Sequence, residues 1–352
     1  MVGWRDRRFL DLVGTEHPIV QAPMANAASV DLCVAAARGG ALGFLPCGML
    51  PPDQIREQLR AVRQQVRGPV GLNFFCHHLP GQTDDHQWRK LLQPYYAAFD
   101  ITAPPAAGLR MPFDEDSCAV VEKLRPEVVS FHFGLPDERL FDRVKATGAT
   151  VIGCATTVAE AIFLEHAGVD AIIAQGFEAG GHTGRFLESD PREALGLFAL
   201  VPQVVDHVSV PVIAAGAVAD GRAVAAALTL GASAVQIGSA YLHCPESFLP
   251  DGHKEMLKKR ATLMTNIYSG GLARAVRGRL IDEIGPIRAE APPYPLAGLM
   301  TMPLFAAAME RGDYSFLPGL AGQAARMGET IGATELTTKL ATDALAILSG
   351  RA

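Results

Sequence analysis

Eight short apolar runs, each followed by a stretch of helical character, constrain this chain more than any other feature. They are Ile19 to Met24, Ala41 to Leu45, Val70 to Phe75, Val128 to Phe133, Thr150 to Cys154, Ala171 to Gln175, Val212 to Ala215 and Ala234 to Ile237. Their hydrophobicity is continuous rather than alternating, which marks strands covered on both faces, as a parallel sheet wrapped by helices requires. Gly40, Gly148, Gly168 and Gly231 each fall one to three residues before a run, where a helix ending in a left-handed cap favours glycine. Strand, helix, glycine, strand, repeated in this way, predicts an α/β fold and specifically a (β/α)8 TIM barrel, with a doubly wound sheet as the alternative architecture.

Two stretches break the rhythm. Residues 76–127 are too long for one crossover helix and contain Ala103-Pro-Pro-Ala-Ala-Gly108, which predicts an insertion over the barrel mouth. From Pro245 the pattern changes again: a helix-like 253–264, a loop-rich 268–300 with Pro286, Pro292, Pro293 and Pro295, and a helical end at 335–349. The expected organisation is a barrel over 1–244, a smaller, mainly helical, lid-like subdomain over 245–325, and a closing segment, 326–352, open to rejoining the barrel. A composition 49% hydrophobic but only 7% aromatic fits a core of Ala, Val, Leu and Ile between helices and sheet.

Composition also excludes partners. The net charge of −6 comes with no basic run, so a nucleic-acid backbone has nothing to dock on. The six cysteines are scattered, with no C-x-x-C pair and no zinc-like grouping with histidine, which suits a reducing cytoplasm and no metal. No signal-peptide pattern opens the chain, and no apolar segment approaches the ~20 residues that span a bilayer. The expectation is a soluble, cytoplasmic protein without a membrane partner; nothing in the sequence sets an oligomeric state.

In a barrel the active face lies at the C-terminal ends of the strands, so the residues just after each run carry the interest. Here these include Ala22-Pro23-Met24, Asn73, His132, Gln175 through His182, Gly216 and Gly238-Ser239. The set lacks a glycosidase carboxylate pair and any H-E-x-x-H spacing. Gly216-Ala-Val-Ala-Asp-Gly221 follows the seventh run and Gln236-Ile-Gly-Ser239 closes the eighth. Loops at these two positions commonly hold a phosphate, because glycine admits close backbone approach and helix N-termini favour anions; service as tight turns is the alternative. A cofactor anchored there would extend over the mouth toward Asn73 and Gln175, whose amides match the edge of an isoalloxazine, and toward the backbone of Ala22 to Met24, stiffened by Pro23.

The stretch Gln175-Gly-Phe-Glu-Ala-Gly-Gly-His-Thr-Gly184 surrounds one imidazole with glycines directly after a buried strand. Gly180, Gly181 and Gly184 allow backbone angles closed to other residues, so the loop can lie beside a ring or phosphate while His182 enters the pocket as proton donor, acceptor or electrostatic partner. His132, at a strand end, and Tyr268 and Tyr294 are candidates for the substrate pocket; Tyr241 is a further aromatic wall, and His77-His78 reads as surface or insertion.

Taken together, Gln21-Ala-Pro-Met24, Gly71-Leu-Asn-Phe-Phe75, Val129-Ser-Phe-His-Phe-Gly134, the histidine loop, Pro211-Val-Ile-Ala-Ala-Gly216 and Gln236-Ile-Gly-Ser239 resemble the nitronate monooxygenase family, formerly called 2-nitropropane dioxygenase. The resemblance implies a barrel that binds FMN, with phosphate at Gly216, Gly238 and Ser239, ring contacts from Asn73, Gln175 and Gly180, and His182 as the catalytic residue. It implies oxidation of an alkyl nitronate, such as propionate 3-nitronate, with molecular oxygen to a carbonyl compound and nitrite. Ala217 stands where the family often has a second glycine, Ser239 replaces a common threonine, and Tyr268-Ser-Gly-Gly271 varies a familiar phrase. Flavin-dependent enoyl reductases share a similar histidine loop, so an NAD(P)H-dependent enoyl-thioester or quinone reductase is the competing activity. A non-catalytic flavin-binding barrel is the third reading.

Overall fold

The computed structural model describes residues 3–102, 108–188 and 190–351. Of the expected insertion phrase Ala103–Gly108, residues 103–107 lie outside that description. Eight strands form one parallel sheet: β1 (Ile19–Gln21), β2 (Gly43–Pro46), β3 (Val70–Phe75), β4 (Val128–His132), β5 (Thr150–Ala155), β6 (Ala171–Gln175), β7 (Val212–Ala215) and β8 (Ala234–Ile237). Each pairs with its neighbour in the series, and β8 returns to β1 through Ile19 opposite Val235 and Gln21 opposite Ile237. The remaining seam, between β1 and β2, is held by a parallel bridge from Val20 to Leu42, with Gln21 N donating to Leu42 O and Leu42 N to Ile19 O, both at 2.9 Å. The ring is a TIM barrel.

Both faces of the strands are apolar because both are covered. Ile152 and Cys154 of β5 and Ala171 and Ile173 of β6 point inward, where Phe9 and Leu10 of the N-terminal helix Arg8–Val13 join them. Their neighbours Val151, Ile172 and Ala174 face the helices. Each Val, Leu, Ile or Phe among them, fully removed from water, contributes about 1.5–3 kcal/mol. Interior packing is tight enough to dictate sequence: a Cβ on Gly71 would lie 2.2 Å from the Phe44 ring. The four glycines expected to end helices all have positive φ, between 84° and 102°.

The helix Ala333–Leu348 packs against Val30–Arg38 and Gly221–Thr229, filling the eighth place in the helical ring. Thr334 Oγ1 donates to Ala35 O at 2.8 Å, and Tyr241 and Thr337 hydroxyls meet at 2.6 Å. Tyr241 therefore belongs to the barrel's outer core rather than to the mouth.

A second core lies over the mouth. It joins Trp88, Leu92 and Tyr95, from the helix His86–Ala98 of the 76–127 insertion, to Ile267, Leu304 and Phe316 of the later segment. The cover is thus built from two pieces distant in sequence. A small antiparallel sheet ties it to the barrel: Thr262–Thr265 pairs with Ala273–Val276, which pairs with Gly181–His182. All six cysteines are buried and unpaired, and among the described residues no helix is long and apolar enough to cross a membrane.

Candidate active site

The histidine loop is fixed from three directions. Gln175, at the end of β6, donates through Nε2 to His182 O at 3.0 Å and accepts Gly184 N through Oε1 at 2.7 Å. His132, at the end of β4, donates through Nε2 to the same carbonyl at 3.2 Å. The third restraint is the pairing of His182 with Ala273, reinforced by Thr183 N donating to Leu272 O at 2.9 Å. The backbone so held presents the imidazole, whose Nε2 lies 2.7 Å from Ser269 Oγ.

Aromatic rings surround that imidazole. Tyr294 stands 5.1 Å away between centroids and Phe133 6.0 Å. Phe133 adopts φ 67°, a left-handed conformation unusual for a bulky residue, of the kind retained where a site demands it. His77 stacks edge-on against Tyr294 at 4.8 Å, and Arg110 donates to the Tyr294 hydroxyl at 2.9 Å.

The histidines here are neutral. Burial, then the charge of Arg110, then His132 and His77, push His182 down to about 3. Burial takes His132 down to about 4 and lowers His77. No acid figures among the groups that shift His182, His77 or Tyr294.

Around the mouth the glycine-rich loops converge. Gly216 has φ 134° and Ala217 φ 51°, which turns this backbone sharply after β7. A Cβ on Gly216 would come 3.2 Å from Ala179 N, so the β7 turn abuts the histidine loop. Gly238 faces Ala22 and Met24, each 3.5 Å from where its Cβ would be. Ser239 Oγ accepts Gly322 N at 2.8 Å, leaving its hydroxyl proton for another acceptor. Gly180 backs directly onto Ala321 and Gly322. Asn73 donates through Nδ2 to Ser130 Oγ at 2.9 Å. Among the described residues Gln236 Oε1 is buried with no hydrogen-bond partner.

Several sequence expectations need correction. Gln175 has a role that the sequence did not show: its Nε2 and Oε1 each bond the histidine loop, so it positions His182. Tyr268 is core, packed on Phe305 at 5.6 Å in the cover, because the chain turns Ser269 rather than Tyr268 toward the imidazole. His77 is not surface but buried beside Tyr294, while His78 is exposed. The helix start at Gly221 is capped by Asp220, which accepts Ala223 N at 3.0 Å, so a phosphate would rely on the turn amides and Ser239 instead. His132, His182, Tyr294, Gly180 and Gly181 do come together; Pro23 lies between Ala22 and Met24 at the β1 end. Sequence reasoning missed Arg110, Ser269 and Gly322. Only Ser269 carried a signal, the Ser-Gly-Gly phrase: a Cβ on Gly270 would lie 2.0 Å from Pro292 O, so glycine there lets the Ser269 turn close against the cover.

Comparison with known proteins agrees with this geometry. The family model for nitronate monooxygenase matches residues 6–343. The chain is 39% identical over 343 residues to a nitronate monooxygenase of Pseudomonas aeruginosa, covering 95% of this chain and 97% of the relative. It is 38% identical over 346 residues to one of Paraburkholderia phytofirmans, covering 95% and 94%. Among solved structures it is similar to a nitroalkane oxidase from Streptomyces ansochromogenes, with TM-score 0.91, 34% identity and coverage of 98% and 100%. It is also similar to FabK from Thermotoga maritima, with TM-score 0.76, 28% identity and 97% of each chain covered.

Proposed function

The chain belongs to the nitronate monooxygenase family, and from that premise we propose that it oxidises alkyl nitronates with molecular oxygen, giving a carbonyl compound and nitrite. Propionate 3-nitronate is the representative substrate. The proposal includes FMN as the flavin, with 1–244 and 326–352 as the barrel that holds it and 245–325 as the covering segment.

The residues present fit such a cofactor. Gln236 Oε1 lacks a donor, and the hydroxyls and ring N–H of a flavin mononucleotide supply donors. The turn at Gly216–Ala217 and the Ser239 hydroxyl suit a phosphate, and the absent side chain at Gly238 leaves room beside Ala22 and Met24. When bound, FMN supplies the electron acceptor that oxidation of a nitronate requires.

The observation that carries the substrate reading is the His182–Ser269 pair, Nε2 to Oγ at 2.7 Å, enclosed by the Tyr294 and Phe133 rings. An imidazole held at about 3 is a poor base at neutral pH, so abstraction of a proton from a neutral nitroalkane is disfavoured. A nitronate arrives already deprotonated and needs no base. The His182 and Ser269 pair can donate hydrogen bonds to its negative charge. The surrounding rings leave the imidazole half-buried, which strengthens these contacts relative to open water.

Anaerobic mixing of the yellow, flavin-loaded protein tests the reading. Bleaching by propionate 3-nitronate supports it; no bleaching by any alkyl nitronate, with rapid bleaching by NADH, would establish the reductase reading that the likeness to FabK favours.

A further inference from the structure

Beside the Tyr294 ring stands a cation with no partner of opposite charge among the described residues. Arg110 comes from the insertion, is half-buried, and is in no ion pair among the described residues. Its guanidinium has two acceptors, Tyr294 Oη at 2.9 Å and Met49 Sδ at 2.8 Å, the second a weak one. It lies over two rings, 5.4 Å from the Phe75 centroid and 5.7 Å from that of Tyr294. Its backbone is anchored as well, since His77 Nε2 donates to Arg110 O at 3.0 Å. A cation taken partly out of water needs compensation, and neither a phenol oxygen nor a thioether provides a charge.

Its placement relative to His182 is informative. Both contact the same Tyr294 ring, the imidazole centroid at 5.1 Å and the Arg110 carbon at 5.7 Å, and no hydrogen bond joins them directly. Groups held by Arg110 and by His182 would thus lie against one and the same ring. A guanidinium fork matches a carboxylate with two parallel N–H donors.

We propose that Arg110 is a specificity-determining residue that binds a second anionic group, a carboxylate a few carbons from the nitronate, and so selects dianionic nitronates over singly charged ones. The inference rests on the reading above that nitronates are the substrates. Among the described side chains named around Tyr294 and His182 none other carries a full charge: burial lowers His77, His132 and His182, and Phe75, Phe133 and Tyr294 are uncharged walls. Discrimination by charge thus falls to one side chain.

The test compares two nitronates of equal chain length in the flavin-loaded protein: propionate 3-nitronate, with a carboxylate, and propyl 1-nitronate, without one. Arg110→Gln is expected to lower kcat/KM for propionate 3-nitronate about 10²-fold, mainly through KM, and to leave propyl 1-nitronate within roughly 3-fold. Arg110→Lys, which keeps the charge but not the fork, retains an intermediate preference. Equal losses with both nitronates, or no loss with either, overturn the proposal, the first by marking Arg110 as support for Tyr294. Calorimetry with succinate and butyrate, unreactive shapes of the same two substrates, provides an arm independent of turnover. Tighter binding of succinate that Arg110→Gln abolishes supports the assignment; equal binding of the two in the parent protein overturns it. If the parent oxidises neither nitronate, the preceding reading fails while the succinate arm still decides the role of Arg110.

Discussion

Gly180 offers the sharpest test of how the histidine loop is held. In Gly180→Ala the new Cβ would lie 2.3 Å from Gly322 N, 2.4 Å from Ala321 C and 2.7 Å from Ala321 Cα. Ordinary contact begins near 3.4 Å, so the shortfall is about 1 Å. The obstacle is backbone on both sides, so no rotamer change relieves it. Nor can the opposing strand of chain retreat freely: Gly322 N is bonded to Ser239 Oγ at 2.8 Å and Gln323 N to Glu178 O at 3.0 Å. One of the two loops must shift by roughly the missing distance. Overpacking of this kind costs about 1–3 kcal/mol, and a misplacement of about 1 Å costs on the order of 10²-fold in rate. Gly181→Ala is the control, because its Cβ meets nothing within 4 Å while its φ is 78°. It should cost only left-handed strain, about 1–2 kcal/mol, with the loop in place. Urea unfolding together with kcat/KM for propionate 3-nitronate reads both terms. A Gly180→Ala protein within about 0.5 kcal/mol of the parent and with unchanged kcat/KM would refute the reasoning.

Further outcomes follow from the same structure. His182→Ala removes a hydrogen-bond donor to the nitronate and should lose at least ~10²-fold in turnover while keeping its flavin spectrum; near-normal turnover removes the residue from the mechanism. Ala217 sits at φ 51°, so Ala217→Gly should exchange about 1–2 kcal/mol of left-handed strain for the ~0.5–1 kcal/mol entropy of a glycine and raise Tm, and a lower Tm contradicts this. Gln236→Met removes a buried acceptor without a partner, so the flavin-free protein should gain about 1 kcal/mol while FMN affinity falls; equilibrium dialysis showing unchanged affinity excludes Gln236 from the cofactor site. Burial depresses His253 and His132 to about 4, below the ordinary 6.5, so the unfolded chain takes up their protons first as pH falls. Their contribution to stability is complete above pH 6.5 and is lost progressively toward pH 4; urea midpoints that stay level across that window would contradict it, and His253→Leu should flatten the slope.

The barrel is legible in the sequence because every strand is covered on both faces. Burial on two sides writes itself as an unbroken apolar run, and left-handed helix ends write themselves as glycine. The cover is less legible for a matching reason. Its core takes Trp88 and Leu92 from one insertion and Leu304 and Phe316 from another, and no periodicity within either stretch says that the two meet. At the site, His182 stands out because close backbone approaches demand glycines around it. Gln175 sits in the same phrase, yet residue type alone could not tell an amide that touches a ligand from one that ties down a loop. Arg110 leaves no mark at all: a lone cation after a proline-rich stretch looks like any surface charge until the fold sets it over Phe75 and Tyr294.

The two-residue pairing of Gly181–His182 with Ala273 and Arg274 makes the imidazole a shared possession of barrel and cover. Peeling the cover away to admit a molecule would strip that pairing and carry the histidine off its mark. A route that spares the pairing runs past side chains at the rim, by rotation of rings such as Tyr294, with the door frame itself left standing.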